Sequence, residues 1–316
     1  MGEIGEAVEG TNLLRETQKA NRSFSYEADF NVRGTFMGQR ATHRLDSVGP
    51  WSEVKIEIIR KYASAYSDIL AKNHFYHVYV DAFAGAGIHF SEAKQDWIEG
   101  SPLQVLGIEP PFDEYHFIEL DETKSRTLTH FTAGRRNVHV YPGDCNEHLV
   151  ERIFPQIRYD QYQRALCLLD PYGLQLDWRV LQIAGQSRTI EIFLNFPIMD
   201  INRNVLIRDR GKVRKTDIAR MNRFWGDQSW EESCYQKQIT QITMFGDEED
   251  KVPNERVVNE YLARLRKVGF SFLPKPLPMR NKQGATIYYL IFAAHKPVAQ
   301  DIVTDIFEYY EKRGMN

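Results

Sequence analysis

Residues 76–87 read YHVYVDAFAGAG, an apolar strand that runs into a carboxylate and then a small, glycine-spaced turn. His77, Val78, Tyr79 and Val80 are β-branched or aromatic enough for a buried strand, and Asp81 falls where that strand ends. Gly85 and Gly87 let backbone N–H groups approach a ligand that any Cβ would push away. The turn lacks the third glycine of a dinucleotide fingerprint, so later motifs must decide what it binds.

Those motifs repeat one arrangement. Tyr115, His116, Phe117 and Ile118 form a second strand that delivers Glu119 and Asp121 at its carboxyl end, where open α/β sheets bind ligands and a carboxylate can accept both hydroxyls of a ribose. A third strand over 138–141 leads to Gly143, Asp144 and Cys145. A fourth over 165–169 leads to Asp170-Pro171-Tyr172-Gly173, and a fifth over 190–194 to Asn195-Phe196-Pro197. Asp commonly caps the helix that follows a strand, which accounts for one or two of these acids. Four carboxylates at the same end indicate a binding rim.

This order resembles the class I S-adenosylmethionine (SAM) methyltransferases. The resemblance implies an α/β Rossmann-like fold with a mostly parallel seven-stranded sheet and a C-terminal antiparallel hairpin, and SAM as cofactor. It implies that the loop carrying Asp81, Gly85 and Gly87 holds the methionine part, Glu119 the ribose, and Asp144 with Cys145 the adenine edge. Phe83, Ala84, Leu120 and Asp121 complete the cofactor-binding set. More closely, VDAFAGAG, GSPL, FDEYHFIELD, GDCNE, LLDPYGLQLDW and NFPIMDINRN resemble the three-Cys-motif partner (TcmP) family across residues 51–295. That resemblance implies a methyltransferase-like protein encoded beside a radical-SAM-like protein, with no established substrate.

Composition agrees. A chain of 316 residues with 42% apolar content can bury one large α/β core. Its 40 basic and 43 acidic side chains nearly cancel, so net charge gives no argument for nucleic acid. Cys145, Cys167 and Cys234 are the three cysteines, without a C-x-x-C pair, which fits a reducing cytosol and gives no metal signature. The nine histidines form no ligand set, so no metal is expected. No segment approaches membrane-spanning length, and a soluble cytoplasmic protein is expected.

Residues 1–42 are polar and without sustained periodicity and read as a mobile N-terminal extension; 43–316 read as the methyltransferase-like domain. The spacing predicts a helix over 52–72 with Val54, Ile58, Ile59, Tyr62, Tyr66 and Ile69 on one face. Strand candidates lie at 270–273 and 286–294, joined through a turn with Asn281, Gln283 and Gly284, while Pro276 and Pro278 demand an irregular or edge position. Asp81 and Glu119 are 38 positions apart, against about 20 in a compact unit, so something is inserted. Ser101 and Pro102 predict a helix start with Ser101 as cap, leaving 88–99 as a loop over the cofactor.

A similar G-S-P-L helix occurs beside D-P-P-Y in bacterial ribosomal RNA adenine-N6 methyltransferases. By that likeness Asp170, Pro171 and Tyr172 are the candidate catalytic residues. An exocyclic ring amine is a poor nucleophile until acceptors localise its lone pair, and the Asp170 carboxylate and Pro171 carbonyl can accept its two N–H bonds while Tyr172 stacks on the ring. The missing second proline brings the aromatic one residue early. Asp170 could instead act as a general base, and the bland reading is a strand-end Asp before a Pro turn. Asn195, Phe196 and Arg203 are candidate substrate contacts. Arg203 opens a run to Arg223 with eight basic residues against Asp209 and Asp217, within a helical and loop insert over about 200–250 that suits a phosphate-bearing substrate, unless residues 247–250 neutralise it. Trp178, Phe224, Trp225 and Trp230 are expected in packing.

The sequence thus predicts methyl transfer to a nitrogen of a nucleobase-like acceptor, in nucleic acid or a nucleotide-related molecule. Two alternatives stay open: methylation of a small metabolite or peptide made with a radical-SAM-like partner, and a non-catalytic SAM- or nucleotide-binding partner protein. An NAD oxidoreductase is disfavoured, since no Tyr-x-x-x-Lys pair follows.

Overall fold

A parallel strand covered on both faces reads as a near-continuous apolar run, and Tyr76–Asp81 is buried at every position after the first. The protein is described here from a computed structural model, which covers residues 47–48, 50–91, 96–237, 249–281 and 283–314. The expected extension over 1–42 lies outside the described residues.

The main sheet is built from β1 (Tyr76–Asp81), β2 (Glu114–Glu119), β3 (Val138–Pro142), β4 (Gln163–Leu169), β5 (Ile190–Phe196), β6 (Leu277–Arg280) and β7 (Thr286–Ala293). Their spatial order is β3-β2-β1-β4-β5-β7-β6, with β1 to β5 parallel and both pairings of β7 antiparallel. The reversal between β1 and β4 is a topological switch point, with the ligand crevice at the carboxyl ends of the strands.

Strand alternation divides the core into two layers. Val78 and Val80 face α5 (Trp178–Ser187) and α8 (Asn254–Lys267). Tyr79, Tyr115 and Phe117 face the opposite layer of α1 (Pro50–Lys72), α2 (Ser101–Val105), α3 (Glu122–Phe131) and α9 (Pro297–Lys312). Helix α1 buries Ile58, Ile59, Tyr62 and Tyr66 as its spacing predicts, with Tyr62 edge-on to Phe193 and Phe292 at 5.5 and 4.8 Å.

Two expectations change. Residues 88–99 are not simply a loop: Ile88–Ser91 and Asp96–Glu99 pair antiparallel, and Phe90 packs edge-on against its cross-strand neighbour Trp97 at 5.5 Å. Residues 270–273 form no full strand but one isolated bridge, Phe272 with Ala294, because the antiparallel partner of β7 is Leu277–Arg280. Pro278 lies in that edge strand, the place where a missing N–H is tolerated. The turn beyond it is held by the Asn281 side chain, which accepts from the Gln283 and Ala285 N–H groups at 3.0 Å each.

After β5 come α6 (Ile198–Asn204) and α7 (Lys215–Trp225). Phe224 and Trp225 are fully buried, and Phe224 stacks on Tyr261 of α8 at 5.1 Å, so these aromatics pack the insert onto the sheet. Residues 238–248 lie outside the description, and with them Asp247 and Glu248, half of the acidic stretch 247–250.

Candidate functional site

The loop after β1 is stitched to both neighbouring strands: Ala82 N–H donates to the Leu168 carbonyl at 3.0 Å and Ala84 N–H to that of Ile118 at 2.9 Å. Gly85 (φ +64°) and Gly87 (φ +82°) both occupy the left-handed region. A Cβ on Gly87 would strike Leu128 at 2.9 Å, whereas a Cβ on Gly85 would enter open space. Open space above a positive-φ glycine at the switch point is what a bound ligand requires.

Glu119 stands beside it. Gly85 N–H donates to its Oε2 and Asp121 N–H to its Oε1, each at 2.8 Å. The two bonds fix the carboxylate while leaving further lone pairs for hydroxyl donors. Leu120, next in the chain, is 70% exposed, a large apolar side chain set at the rim. Asp121 and Asp144 do cap helices: Asp121 accepts from Thr123 and Lys124 N–H at 2.8 and 3.0 Å, and Asp144 from Asn146 N–H at 2.9 Å at the start of α4 (Cys145–His148). Cys145 is buried, and desolvation with the charge of Asp144 pushes its thiol well up, away from nucleophilic chemistry.

Asp81 is fully buried, not open to a ligand. Ser101 Oγ donates to it at 2.5 Å and Phe83 N–H at 3.2 Å, so it ties the glycine loop to the start of α2. Burial raises its carboxyl to about 7 and the charge of Asp170 adds to this, while the bonds from Ser101 and Phe83 and the charge of Lys55 oppose it. The α2 cap position therefore falls to Gly100 with no side-chain bond, because the Ser101 hydroxyl goes to the carboxylate, the stronger acceptor. Phe83 is half-buried and Ala84 buried in the same loop.

Beyond β4, Asp170 forms an ion pair with Lys55 of α1 and accepts from Asn195 Nδ2 at 2.8 Å. Lys55 is 7% exposed and Asp170 27%. The ammonium also lies 5.5 Å from the centre of the Tyr288 ring. Asn195 Oδ1 is buried with no hydrogen-bond partner. Pro171 is buried, while Tyr172 is 74% exposed with the Lys124 ammonium 5.9 Å from its ring centre. A Cβ on Gly173 would meet Asp200 at 2.8 Å and Arg220 at 3.1 Å, so the insert packs directly on this loop.

The structure thus brings Asp170 and Asn195 together and sets Glu119 beside Gly85. It does not bring Phe196 to the opening. Alternation along β5 turns that ring to the other face, where it is enclosed by Tyr261 and Phe224 at 4.8 and 5.6 Å. Arg203 is exposed on α6.

Three residues were missed. Lys55 was legible as a lysine amid Val54, Ile58 and Ile59 on the apolar stripe of α1. Ser101 reads in the sequence as a helix cap, whereas its hydroxyl binds Asp81. Asn146, within the quoted GDCNE, joins two loops: its amide donates to the Gln175 carbonyl at 2.9 Å and accepts from Asp177 N–H at 2.8 Å. No cluster suited to a metal occurs among the described residues, and none of their helices is long and apolar enough to cross a membrane.

No protein-family model and no curated protein matches the chain. Among solved structures it is similar to the Legionella pneumophila protein LPL1258 (11% identity, TM-score 0.46, covering 80% of this chain and 91% of that one). It is also similar to Aeropyrum pernix fibrillarin in complex with natively bound S-adenosyl-L-methionine (10% identity, TM-score 0.35, 70% and 67%). A third likeness is to the methyltransferase domain of bacterial CtHen1 (8% identity, TM-score 0.36, 75% and 99%). The strand order, the antiparallel β7 and the glycine loop after β1 are by themselves those of the Rossmann-like class I methyltransferase fold.

Proposed function

We propose that the chain is a SAM-dependent methyltransferase acting on a nitrogen of a nucleobase-like amine. The observation that carries this reading is the Glu119 carboxylate, fixed by the N–H groups of Gly85 and Asp121 beside the open space over Gly85. SAM, when bound, supplies an electrophilic methyl group on sulfur. Glu119 would take the ribose hydroxyls, Gly85 would admit the backbone approach, and exposed Leu120 would lie against the adenine. Asp81 and Ser101 would hold the loop in place without touching the ligand.

Asp170 would then receive the acceptor amine. Asn195 fixes one carboxylate oxygen and Lys55 the other, so the carboxylate is oriented before the substrate arrives. A remaining lone pair and the Pro171 carbonyl would accept the two N–H bonds, localise the nitrogen lone pair and stabilise the charge that develops. Tyr172, exposed at the rim, would offer its face to the ring.

The Lys55 ion pair also favours a second reading, a partner protein that binds SAM without turnover, since an ammonium already satisfies Asp170. The likeness to the TcmP motifs adds a radical-SAM-like protein as partner and a metabolite or peptide as the rival acceptor. Calorimetric titration with SAM, S-adenosylhomocysteine and NAD, followed by transfer of labelled methyl to RNA, DNA and metabolite pools, separates these. We expect the first two to bind and NAD not to. Asp170→Ala should abolish transfer while SAM affinity stays within about twofold, and Glu119→Ala should weaken SAM by about 1 to 3 kcal/mol. Tight SAM binding with no transfer to any pool would leave the partner reading.

A further inference from the structure

At the amino-terminal ends of the parallel strands, about 20 Å from the glycine loop along strands of this length, lies a cavity of about 530 Å³. That volume suits a small ligand. It opens where β4 and β5 begin and is roofed by α1 and the first turn of α9. None of its lining residues belongs to the methyltransferase site.

Its chemistry is graded from floor to rim. On the floor Tyr62 donates its hydroxyl to Glu191, and the neighbouring Tyr66 hydroxyl is buried with no hydrogen-bond partner. A buried unpaired hydroxyl costs free energy unless a ligand or water completes it. Glu191 lines the cavity as a half-buried residue, and desolvation pushes its carboxyl up to about 7 against the bond from Tyr62 and the charge of Arg164. Arg164 lies over the rings of Phe75 and Tyr159, 4.7 and 4.4 Å from their centres. At the rim Arg188 and Lys296 are exposed and make no ion pair with a described residue. Arg188 is held in the left-handed conformation (φ +57°), and Tyr162, also left-handed (φ +57°), leaves its ring exposed beside the opening.

We propose that this cavity is a second binding site, for a nucleoside monophosphate. The aromatic walls would receive the base, Glu191 and the Tyr66 hydroxyl would hydrogen-bond its polar edge, and Arg188 with Lys296 would take the phosphate. The site is independent of the cofactor site, so an effector bound here would act on the sheet from the end opposite the methyl transfer.

The test is calorimetric titration of the full chain with AMP, GMP, CMP and UMP, repeated with saturating S-adenosylhomocysteine and with the matching nucleosides. At least one monophosphate should bind, its nucleoside should bind at least tenfold more weakly, and S-adenosylhomocysteine should not compete. The double variant Arg188→Ala/Lys296→Ala, both exposed and safe for folding, should weaken binding at least tenfold. Tyr66→Phe, which removes only the unpaired oxygen, should weaken it severalfold without lowering the thermal midpoint. Binding displaced by S-adenosylhomocysteine, binding indifferent to these variants, or no binding of any monophosphate would each overturn the proposal, whatever the outcome at the glycine loop.

Discussion

At single residues, two cases of buried charge show how the site stores instability. Asp81 is completely buried and its carboxyl is raised from 3.8 to about 7. Below about pH 4 folded and unfolded chains both hold the proton and nothing is lost. As pH rises from there to about 7 the unfolded chain ionises first, so stability falls, and above 7 the full cost is present, on the order of 4 kcal/mol. Asp81→Asn removes the titration, so its stability relative to the wild type should improve by about 2 to 3 kcal/mol between pH 5 and pH 8. Urea unfolding at both pH values checks this, and any constant cost of the amide cancels; an unchanged difference would sink it. Lys55 and Asp170 form the second case. Removing one partner strands a charge that is largely out of water, whereas removing both strands nothing. Lys55→Met and Asp170→Asn should each destabilise, and the double variant should fall short of their sum by about 1 to 3 kcal/mol in a urea double-mutant cycle. Simple additivity would mean that the ion pair is incidental. Lys55 was missed because its partner is 115 positions away, and helical spacing alone cannot say which strand end a buried lysine faces.

At the level of elements, the glycine loop separates two roles that the sequence runs together. Gly85→Ala and Gly87→Ala both force a Cβ into the left-handed region, at about 1 kcal/mol. Only Gly87→Ala also drives it into buried Leu128, an overlap worth about 1 to 3 kcal/mol more. Gly87→Ala should therefore lower the thermal midpoint further than Gly85→Ala, while Gly85→Ala should lose more SAM affinity than stability. A Gly85→Ala variant that binds SAM like the wild type would remove this loop from the cofactor site. The same loop marks what the sequence disclosed. Five parallel strands were legible because each apolar run ends in a distinct polar signal, even Val138–Pro142, which is only half-buried. The antiparallel pair Ile88–Ser91 and Asp96–Glu99 was not, since Ile88, His89 and Phe90 alternate too briefly to separate a short strand from a loop. The Phe90–Trp97 pair that holds it exists only across strands. The edge strand at Leu277–Arg280 was obscured by Pro278, whose acceptability depends on a neighbour on one side only.

Across the whole molecule, charge placement decides what the insert can hold. Read along the chain, residues 203–223 are the most basic stretch, but folding pairs most of it internally. Arg214 meets Asp217 at 2.6 Å, Arg220 reaches Asp217 and Asp200 at 3.3 and 3.4 Å, Arg210 meets Glu231 at 3.0 Å and Lys212 meets Asp209 at 3.0 Å. Arg223 lies 3.8 Å from Asp177. Arg203 and Lys215 make no ion pair with a described residue. A sequence shows the sum of charges, whereas the fold shows which cations already have counter-ions in the protein and must leave them before neutralising a phosphate and releasing its salt ions. With about two such contacts, the affinity for a single-stranded RNA oligonucleotide should fall with a log–log salt slope of about −1.5, against about −5 to −6 were all eight basic side chains engaged. Fluorescence anisotropy across a potassium chloride series measures it. The shallow slope would mean that the insert orients an acceptor whose recognition rests on Asp170 and Asn195, and the steep one that the internal ion pairs open to grip a phosphate backbone. No binding at low salt would shift the acceptor to a metabolite or peptide, since Arg220, packed at Gly173, would then serve to brace the Asp170 loop through Asp200 and Asp217.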